Sequence, residues 1–233
     1  MTDAQRVFAE RVKAGARIKL LGDSITHGVG GTGFAQNGEH IVSDYSRNPD
    51  GYCWANRFRE YVAKKYGATV TNNACTGTTI EFVIKHLDAL VSDDDDLVIC
   101  TIGTNNRHRY FNLGPKPTRE EMLEEFYGNI LRLYEMLCDR GRAVIFVANI
   151  PASAANERDG ADYWRVLHME DINAAYRRAE RERGITMISM YERFIARCKA
   201  EGIDLESLLC DGLHPNDRGY DMMYELILEA LDA

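Results

Sequence analysis

The sequence predicts an α/β fold in which a parallel sheet is covered by helices on both faces. Short apolar runs alternate five times with segments of helical periodicity, and polar or turn-forming residues follow each run. Runs that are apolar throughout are typical of parallel strands buried on both faces. Because ligands bind beyond the carboxyl ends of such strands, we expect the residues that follow the strands to form the functional site.

The two periodicities place the elements in chain order. The apolar runs predict strands at residues 17–21, 68–72, 97–102, 143–148 and 185–190. Apolar side chains at helical spacing predict helices at residues 3–15, 51–66, 79–90, 118–141, 162–183, 190–201 and 217–232. Thr118 and Glu121 form a capping box at the start of the long fourth helix, and Gly141 is its stop signal.

Two segments between these elements have no periodicity. Residues 28–50 are polar and glycine-rich, which predicts either a functional loop or a disordered insertion. Residues 93–96 are four consecutive aspartates. We interpret them as a solvated loop ahead of a strand, because a calcium loop needs spaced ligands and a glycine at its sharp turn.

Composition narrows the classes of function. The chain has 45% hydrophobic and 27% charged residues and a net charge of −8, which argues against nucleic acid and anionic membranes as partners. No run approaches the roughly 18 apolar residues of a membrane span. The charged amino terminus lacks an apolar signal core, so we expect a cytoplasmic protein, although removal of a leader would leave the same sequence. Without repeats or linkers, residues 1–233 are predicted to form one domain.

Cysteine and histidine are scattered along the chain. The six cysteines are Cys53, Cys75, Cys100, Cys138, Cys198 and Cys210. None of them lies in a CxxC pair, and they do not cluster with the six histidines. This scatter predicts free thiols in a reducing compartment, and neither a metal site nor a cofactor.

Residues from the two ends of the chain supply a nucleophile and a base. Ser24 follows the first strand, where its hydroxyl is exposed at the sheet edge, and Gly22 before it tolerates the backbone angles of a tight turn. A serine hydroxyl needs a neighbouring base to become nucleophilic. His214 is the candidate base, and Asp211 is placed to hold its ring in the correct tautomer.

Donors for an oxyanion follow the neighbouring strands. Gly77 has no side chain to block its backbone N–H group, and Asn105 carries an amide. The N–H group of Ser24 is a third donor. Together they predict an oxyanion hole for acyl transfer. His27 and His108 lie close to these motifs, and we interpret them as loop residues rather than as part of the pocket.

The sequence contains features of three other functions. Residues 28–33 match the dinucleotide fingerprint GxGxxG, but they do not directly follow a strand or open a helix, as that motif requires. A cysteine hydrolase would use Cys75 or Cys210, neither of which has the strand-end context of Ser24. A carbohydrate- or partner-binding module on the same fold would leave the catalytic groups without a role.

Four blocks of the sequence resemble the conserved blocks of the SGNH hydrolases, also called the GDSL-like esterase/lipase family. They are residues 22–24, 73–77, 103–105 and 211–215. The resemblance spans residue 18 to the last helix. It implies a three-layer α/β/α, flavodoxin-like fold with a five-stranded parallel sheet and no metal. It also implies Ser24 as the nucleophile, His214 as the base and Asp211 as the residue that orients the base.

The same resemblance assigns the oxyanion donors and shows two departures. The donors are the N–H groups of Ser24 and Gly77 and the side chain of Asn105. Asn106 stands where the family has an aspartate that supports the loop, and Cys75 stands where it has a glycine. We expect Asp23, Cys75 and Asn106 to line the pocket.

The implied activity is the two-step hydrolysis of an ester through an acyl-enzyme. Members of the family act on O-acetylated sugars, lysophospholipids, thioesters and simple esters. The sequence has no long amphipathic lid, and its glycine-rich loop is polar. These features favour a small acyl ester, such as an acetyl ester of a carbohydrate, as the substrate. A lysophospholipase or thioesterase is the alternative.

Overall fold

A computed structural model describes residues 1–13, 15–35, 48–108, 117–160 and 164–232. Residues 36–47 of the predicted 28–50 loop, and the predicted helix start near residue 162, lie outside these ranges. The strands are β1 (Arg17–Gly22), β2 (Thr69–Asn72), β3 (Leu97–Thr101), β4 (Ala143–Ala148) and β5 (Met187–Ser189). They form one parallel sheet in the order β2-β1-β3-β4-β5.

Helices cover both faces of this sheet. They are α1 (Asp3–Val12), α2 (Ser24–His27), α3 (Trp54–Tyr66), α4 (Ile80–Lys85), α5 (Leu87–Leu90), α6 (Arg119–Cys138), α7 (Ala154–Glu157), α8 (Met169–Arg183), α9 (Met190–Glu201) and α10 (Asp217–Leu231). Short 3-10 helices span Asn105–Arg107 and Leu205–Leu208. The predicted α/β fold with a five-stranded parallel sheet is confirmed.

Alternating side chains of the central strands build two separate cores. Leu97 and Ile99 of β3 point to the face covered by α1, α3, α9 and α10. Val98 and Cys100 point to the face covered by α4, α5, α6 and α8. All four are fully buried, because successive side chains of a strand point to opposite faces and helices cover both. This explains why the sequences of β3 and β4 are almost continuously apolar.

The helices differ from the prediction at three places, for local reasons. The helix predicted at residues 79–90 is divided into α4 and α5, because the backbone of His86 (φ −111°, ψ 18°) leaves the helical conformation. The helices α2 and α7 have four residues each, too few to show a helical period, and were not predicted. Within the described ranges, none of the helices combines the length and apolarity that crossing a membrane requires.

The run of four aspartates is not simply solvated. Three of its carboxylates pair with cations from other segments: Asp93 with Arg142, Asp94 with Arg17, and Asp95 with Lys19. The Asp95–Lys19 pair is buried, with 3.5 Å between Nζ and the nearer carboxylate oxygen. The prediction of a solvated loop was therefore wrong for Asp95, because sequence alone did not show that the lysine of β1 would face it.

Candidate active site

Ser24 is the first residue of α2 and directly follows the end of β1. Asp23 caps this helix, since its Oδ1 atom accepts a hydrogen bond from the Ile25 N–H group at 3.1 Å. Gly22 is needed here for space, not for the turn angles that the sequence suggested. A Cβ atom on Gly22 would lie 2.7 Å from the carbonyl oxygen of Thr101. The chain thus turns sharply at the carboxyl edge of the sheet and carries the serine there.

The serine, histidine and aspartate named from the sequence form one hydrogen-bonded chain. The Nε2 atom of His214 lies 2.8 Å from the Oγ atom of Ser24. The Nδ1 atom lies 2.6 Å from Oδ2 of Asp211, so the carboxylate favours the tautomer with its proton on Nδ1. The lone pair of Nε2 then faces the serine hydroxyl and is able to accept its proton.

Hydrogen bonds keep Asp211 ionised although its side chain is only half exposed. Burial alone would raise the pKa of Asp211, but three hydrogen bonds outweigh it and lower the pKa below its ordinary value. They come from the backbone N–H and the ring of His214 and from the Leu213 N–H group at 3.0 Å. A carboxylate in this state stabilises the imidazolium that forms when His214 takes up a proton.

The glycine-rich segment after α2 packs against the histidine loop. Gly30 has φ +98°, and a Cβ atom there would lie 2.4 Å from the carbonyl oxygen of Pro215 and 3.3 Å from Cβ of His214. Nearby, the Thr32 N–H group donates to Asp217 at 2.7 Å. The GxGxxG match therefore lies against the loop that carries the base, a packing role that its sequence alone did not reveal.

The predicted oxyanion donors lie on two adjacent loops. Gly77 is exposed, has φ +79°, and a Cβ atom there would meet nothing within 4 Å. The Asn105 amide donates one hydrogen to the Thr78 carbonyl at 2.9 Å, which leaves its second hydrogen for a ligand. In the part of the chain that the structure describes, neither the Ser24 N–H nor the Gly77 N–H donates to a backbone carbonyl.

A buried polar network lies beneath the serine. The Asn149 amide, just after β4, donates to Oδ2 of Asp23 at 2.9 Å and to Oγ1 of Thr104 at 2.7 Å. Asp23 is fully buried, and burial raises its pKa against the opposing hydrogen bonds. Its side chain is therefore part of this buried network and not exposed at the pocket wall, where the sequence predicted it. No role was predicted for Asn149 from the sequence, although it follows a strand just as Ser24 does.

Asn106 and Cys75 are engaged in local structure. Oδ1 of Asn106 accepts from the Ile80 N–H group at the start of α4, at 3.1 Å. Its amide donates to both carboxylate oxygens of Glu81, at 3.0 and 2.9 Å. An aspartate at position 106 would face Glu81 as a like charge, so the departure from the family pattern matches its surroundings. Cys75 is buried, and its N–H group donates to the Gly22 carbonyl at 3.1 Å.

No metal ligand set is present in the described ranges, where no three His, Cys, Asp or Glu side chains are grouped to bind an ion. All six cysteines are free thiols, and Cys138 and Cys210 are the exposed ones. The carboxyl edge of the sheet carries a hydroxyl, an imidazole and amide donors. Such groups suit acyl transfer to a serine.

Comparison with known proteins agrees with the fold and identifies the family. The acetylxylan esterase Axe2 from Geobacillus stearothermophilus superposes with a TM-score of 0.68 at 16% identity, over 96% of this chain and 97% of that chain. LAE5, an α/β hydrolase enzyme from the metagenome of Lake Arreo, Spain, gives a TM-score of 0.68 at 18% identity, over 93% and 95%. No curated protein sequence matches the chain. Because the family model matches residues 20–222, the chain belongs to the GDSL-like lipase/acylhydrolase family and is a carboxylic ester hydrolase.

Proposed function

We propose that Ser24 is the nucleophile of a serine esterase, with His214 as its general base and Asp211 as the group that orients the base. The observation that carries this proposal is the unbroken chain of hydrogen bonds from Asp211 through His214 to Ser24, at 2.6 and 2.8 Å. These are hydrogen-bonding distances for a base and the hydroxyl it activates.

The proposed reaction has two steps that share one set of groups. The Ser24 hydroxyl attacks the ester carbonyl while its proton passes to Nε2 of His214, and the tetrahedral oxyanion accepts hydrogen bonds from the Ser24 N–H, the Gly77 N–H and the Asn105 amide. The ester C–O bond then breaks, and the alcohol leaves with the proton from His214. A water molecule attacks the acyl-enzyme in the same way, and the carboxylic acid is released.

For the substrate, we propose a small acyl ester, such as an acetyl group on a carbohydrate. Axe2, which shares the fold, is an acetylxylan esterase. The net charge of −8 does not favour binding at an anionic lipid surface. The alternatives within the family are lysophospholipase and thioesterase activity. We also infer that residues 1–233 form one domain, because helices from both chain ends cover the same face of one sheet.

Rates on a series of esters test the substrate proposal. We expect kcat/KM to fall from p-nitrophenyl acetate to butyrate to octanoate, and acetate release from an acetylated xylo-oligosaccharide to exceed release of acid from a lysophospholipid or an acyl thioester. Ser24→Ala protein provides the background rate. Faster turnover of octanoate or of the lysophospholipid contradicts the small-acyl proposal. A wild-type protein that hydrolyses none of these esters contradicts the proposed substrate class.

A further inference from the structure

His27 is a buried histidine that the proposed reaction does not use. It lies three residues after Ser24 on α2, is fully buried, and has Phe34 packed edge-on against its ring with 5.0 Å between centroids. Its Nδ1 atom lies 3.2 Å from the backbone nitrogen of Thr76 and 3.0 Å from Oγ1 of the same residue. The sequence-based interpretation of His27 as a loop residue was therefore wrong.

The contact with Thr76 defines the protonation state of the ring. A backbone N–H group is only a donor, so Nδ1 must accept, and the proton of the neutral ring resides on Nε2. Burial lowers the pKa of His27 to about 4, so the ring is neutral near pH 7 and its Nδ1 lone pair accepts the hydrogen bond. The ring thus joins the helix of the serine to residue 76 through backbone and side chain at once.

Thr76 immediately precedes Gly77, the proposed oxyanion donor. Gly77 has a left-handed backbone conformation with open space beside it, so its own contacts do little to fix the direction of its N–H group. The rest of the turn is held by the Thr78 N–H bond to the Cys75 carbonyl at 3.3 Å, by the Asn105 amide on the Thr78 carbonyl and by the Cys75 N–H bond to the Gly22 carbonyl at 3.1 Å. None of these contacts reaches a residue of α2, whereas the contact of His27 does.

We propose that His27 is a positioning residue for the Gly77 N–H group. From the helix that carries Ser24, its ring accepts the hydrogen bond of Thr76, and this contact fixes the Gly77 N–H group relative to the Ser24 hydroxyl. This inference rests on the proposed function, since it assumes an oxyanion at Gly77. Displacement of a reacting group by 1 Å lowers the rate about a hundredfold, and loss of one oxyanion donor lowers kcat by a factor of about 10²–10³. We therefore expect a loss of about 10- to 100-fold in kcat without His27.

The test compares two substitutions of similar size. His27→Leu removes the acceptor, whereas His27→Asn keeps an acceptor oxygen on the same γ carbon as Nδ1. Each variant is assayed with p-nitrophenyl acetate and with an alkyl trifluoromethyl ketone, whose carbonyl adds the serine hydroxyl to give a bound oxyanion. His86→Leu, a histidine substitution at the α4–α5 junction, is the matched control and is expected to keep wild-type values.

The inhibition constant separates a positioning role from a merely structural one. We expect His27→Leu to lose kcat with little change in KM, its inhibition constant for the ketone to rise by the same factor, and His27→Asn to recover most of both. A loss of folded enzyme lowers kcat but leaves the inhibition constant unchanged. An unchanged inhibition constant in His27→Leu, or an equal loss in His27→Asn, overturns the proposal.

Two further measurements cover a variant that does not fold and a failure of the proposed function. If His27→Leu does not fold, Thr76→Ala removes only the exposed hydroxyl partner, and the proposal then requires its inhibition constant to rise by a few-fold; no rise overturns it. Failure of the proposed function gives a different pattern. Ser24→Ala would then retain activity and wild-type protein would not bind the ketone, whatever the behaviour of the His27 variants.

Discussion

The Nε2 atom of His214 lies 2.8 Å from the Oγ atom of Ser24, although 190 residues separate them in the chain. The helix α10, which begins just after His214, is tied to the serine segment by a buried tyrosine. The Tyr220 hydroxyl lies 2.7 Å from the Val29 carbonyl oxygen and 3.1 Å from that of Ile25. The relationship between base and hydroxyl therefore depends on how the two chain ends pack together.

The variant Gly30→Ala tests whether this packing positions His214. Gly30→Ala would place a methyl group 2.4 Å from the Pro215 carbonyl oxygen and strain a left-handed residue, so the His214 loop must shift. We expect kcat to fall about a hundredfold, as for a 1 Å misplacement of a catalytic group. Gly33→Ala is the matched control, with φ +72° and open space. It should cost about 1–2 kcal/mol of unfolding free energy and leave kcat unchanged. Equal kcat values for the two variants would contradict the packing role.

Asn106 tests the departure from the family pattern. Asn106→Asp replaces two hydrogen bonds to Glu81 by a contact between like charges. We expect the free energy of unfolding at pH 7 to fall by about 1–3 kcal/mol, measured by urea denaturation. The double variant Asn106→Asp/Glu81→Gln should recover most of this loss, since the amide of Gln can donate to the new carboxylate. A double variant no more stable than Asn106→Asp would refute the explanation.

Asn149 tests the buried network. Asn149→Leu keeps the approximate volume but removes the donor to the Asp23 carboxylate, which is fully buried. A buried acceptor left without its donor costs about 1–3 kcal/mol. We expect the free energy of unfolding, measured by urea denaturation, to fall by that amount. Asn129→Leu, which removes a partly exposed amide contact to Glu81, serves as the comparison. The network has no special role if both substitutions cost the same.

The pH dependence of stability tests the state of His27. Its pKa is about 4 in the folded chain against an ordinary 6.5, so between these values the unfolded chain binds a proton that the folded chain does not. The contribution of the neutral His27 ring to the free energy of unfolding is therefore fully present above pH 6.5, and it is lost as the pH falls toward 4. Relative to His27→Leu, wild-type protein should lose roughly 3 kcal/mol over this window. A pH-independent difference between the two proteins would exclude a buried neutral ring.

Sequence patterns were sufficient for the sheet and for the proposed reacting groups. Each strand contains an apolar run or apolar residues at its core positions, and Ser24, Gly77 and Asn105 lie two to five residues after the ends of β1, β2 and β3. Parallel strands bring such positions to one edge, so their meeting follows from the alternation of elements. Asp211 and His214 were found by their residue types and by their place before the last helix.

The sequence could not show contacts between distant segments, or helices too short to display a repeating period. The role of Gly30 depends on the Pro215 carbonyl, and that of Asn149 on the Asp23 side chain. No local pattern encodes either contact. The burial of Asp95 depends on Lys19 in the same way. The helix α2 has four residues, so the position of His27 beside Thr76 appears only in three dimensions.

The central claim is that the Ser24 hydroxyl carries the acyl group, and the turnover of p-nitrophenyl acetate by Ser24→Ala tests it most directly. Thermal unfolding of the variant is measured in parallel, to confirm that its fold is intact. The account predicts a loss in kcat of roughly 10⁴ or more, as for deletions in serine hydrolase triads. A folded Ser24→Ala protein that loses less than about tenfold would contradict it, because the reaction would then proceed without the proposed nucleophile.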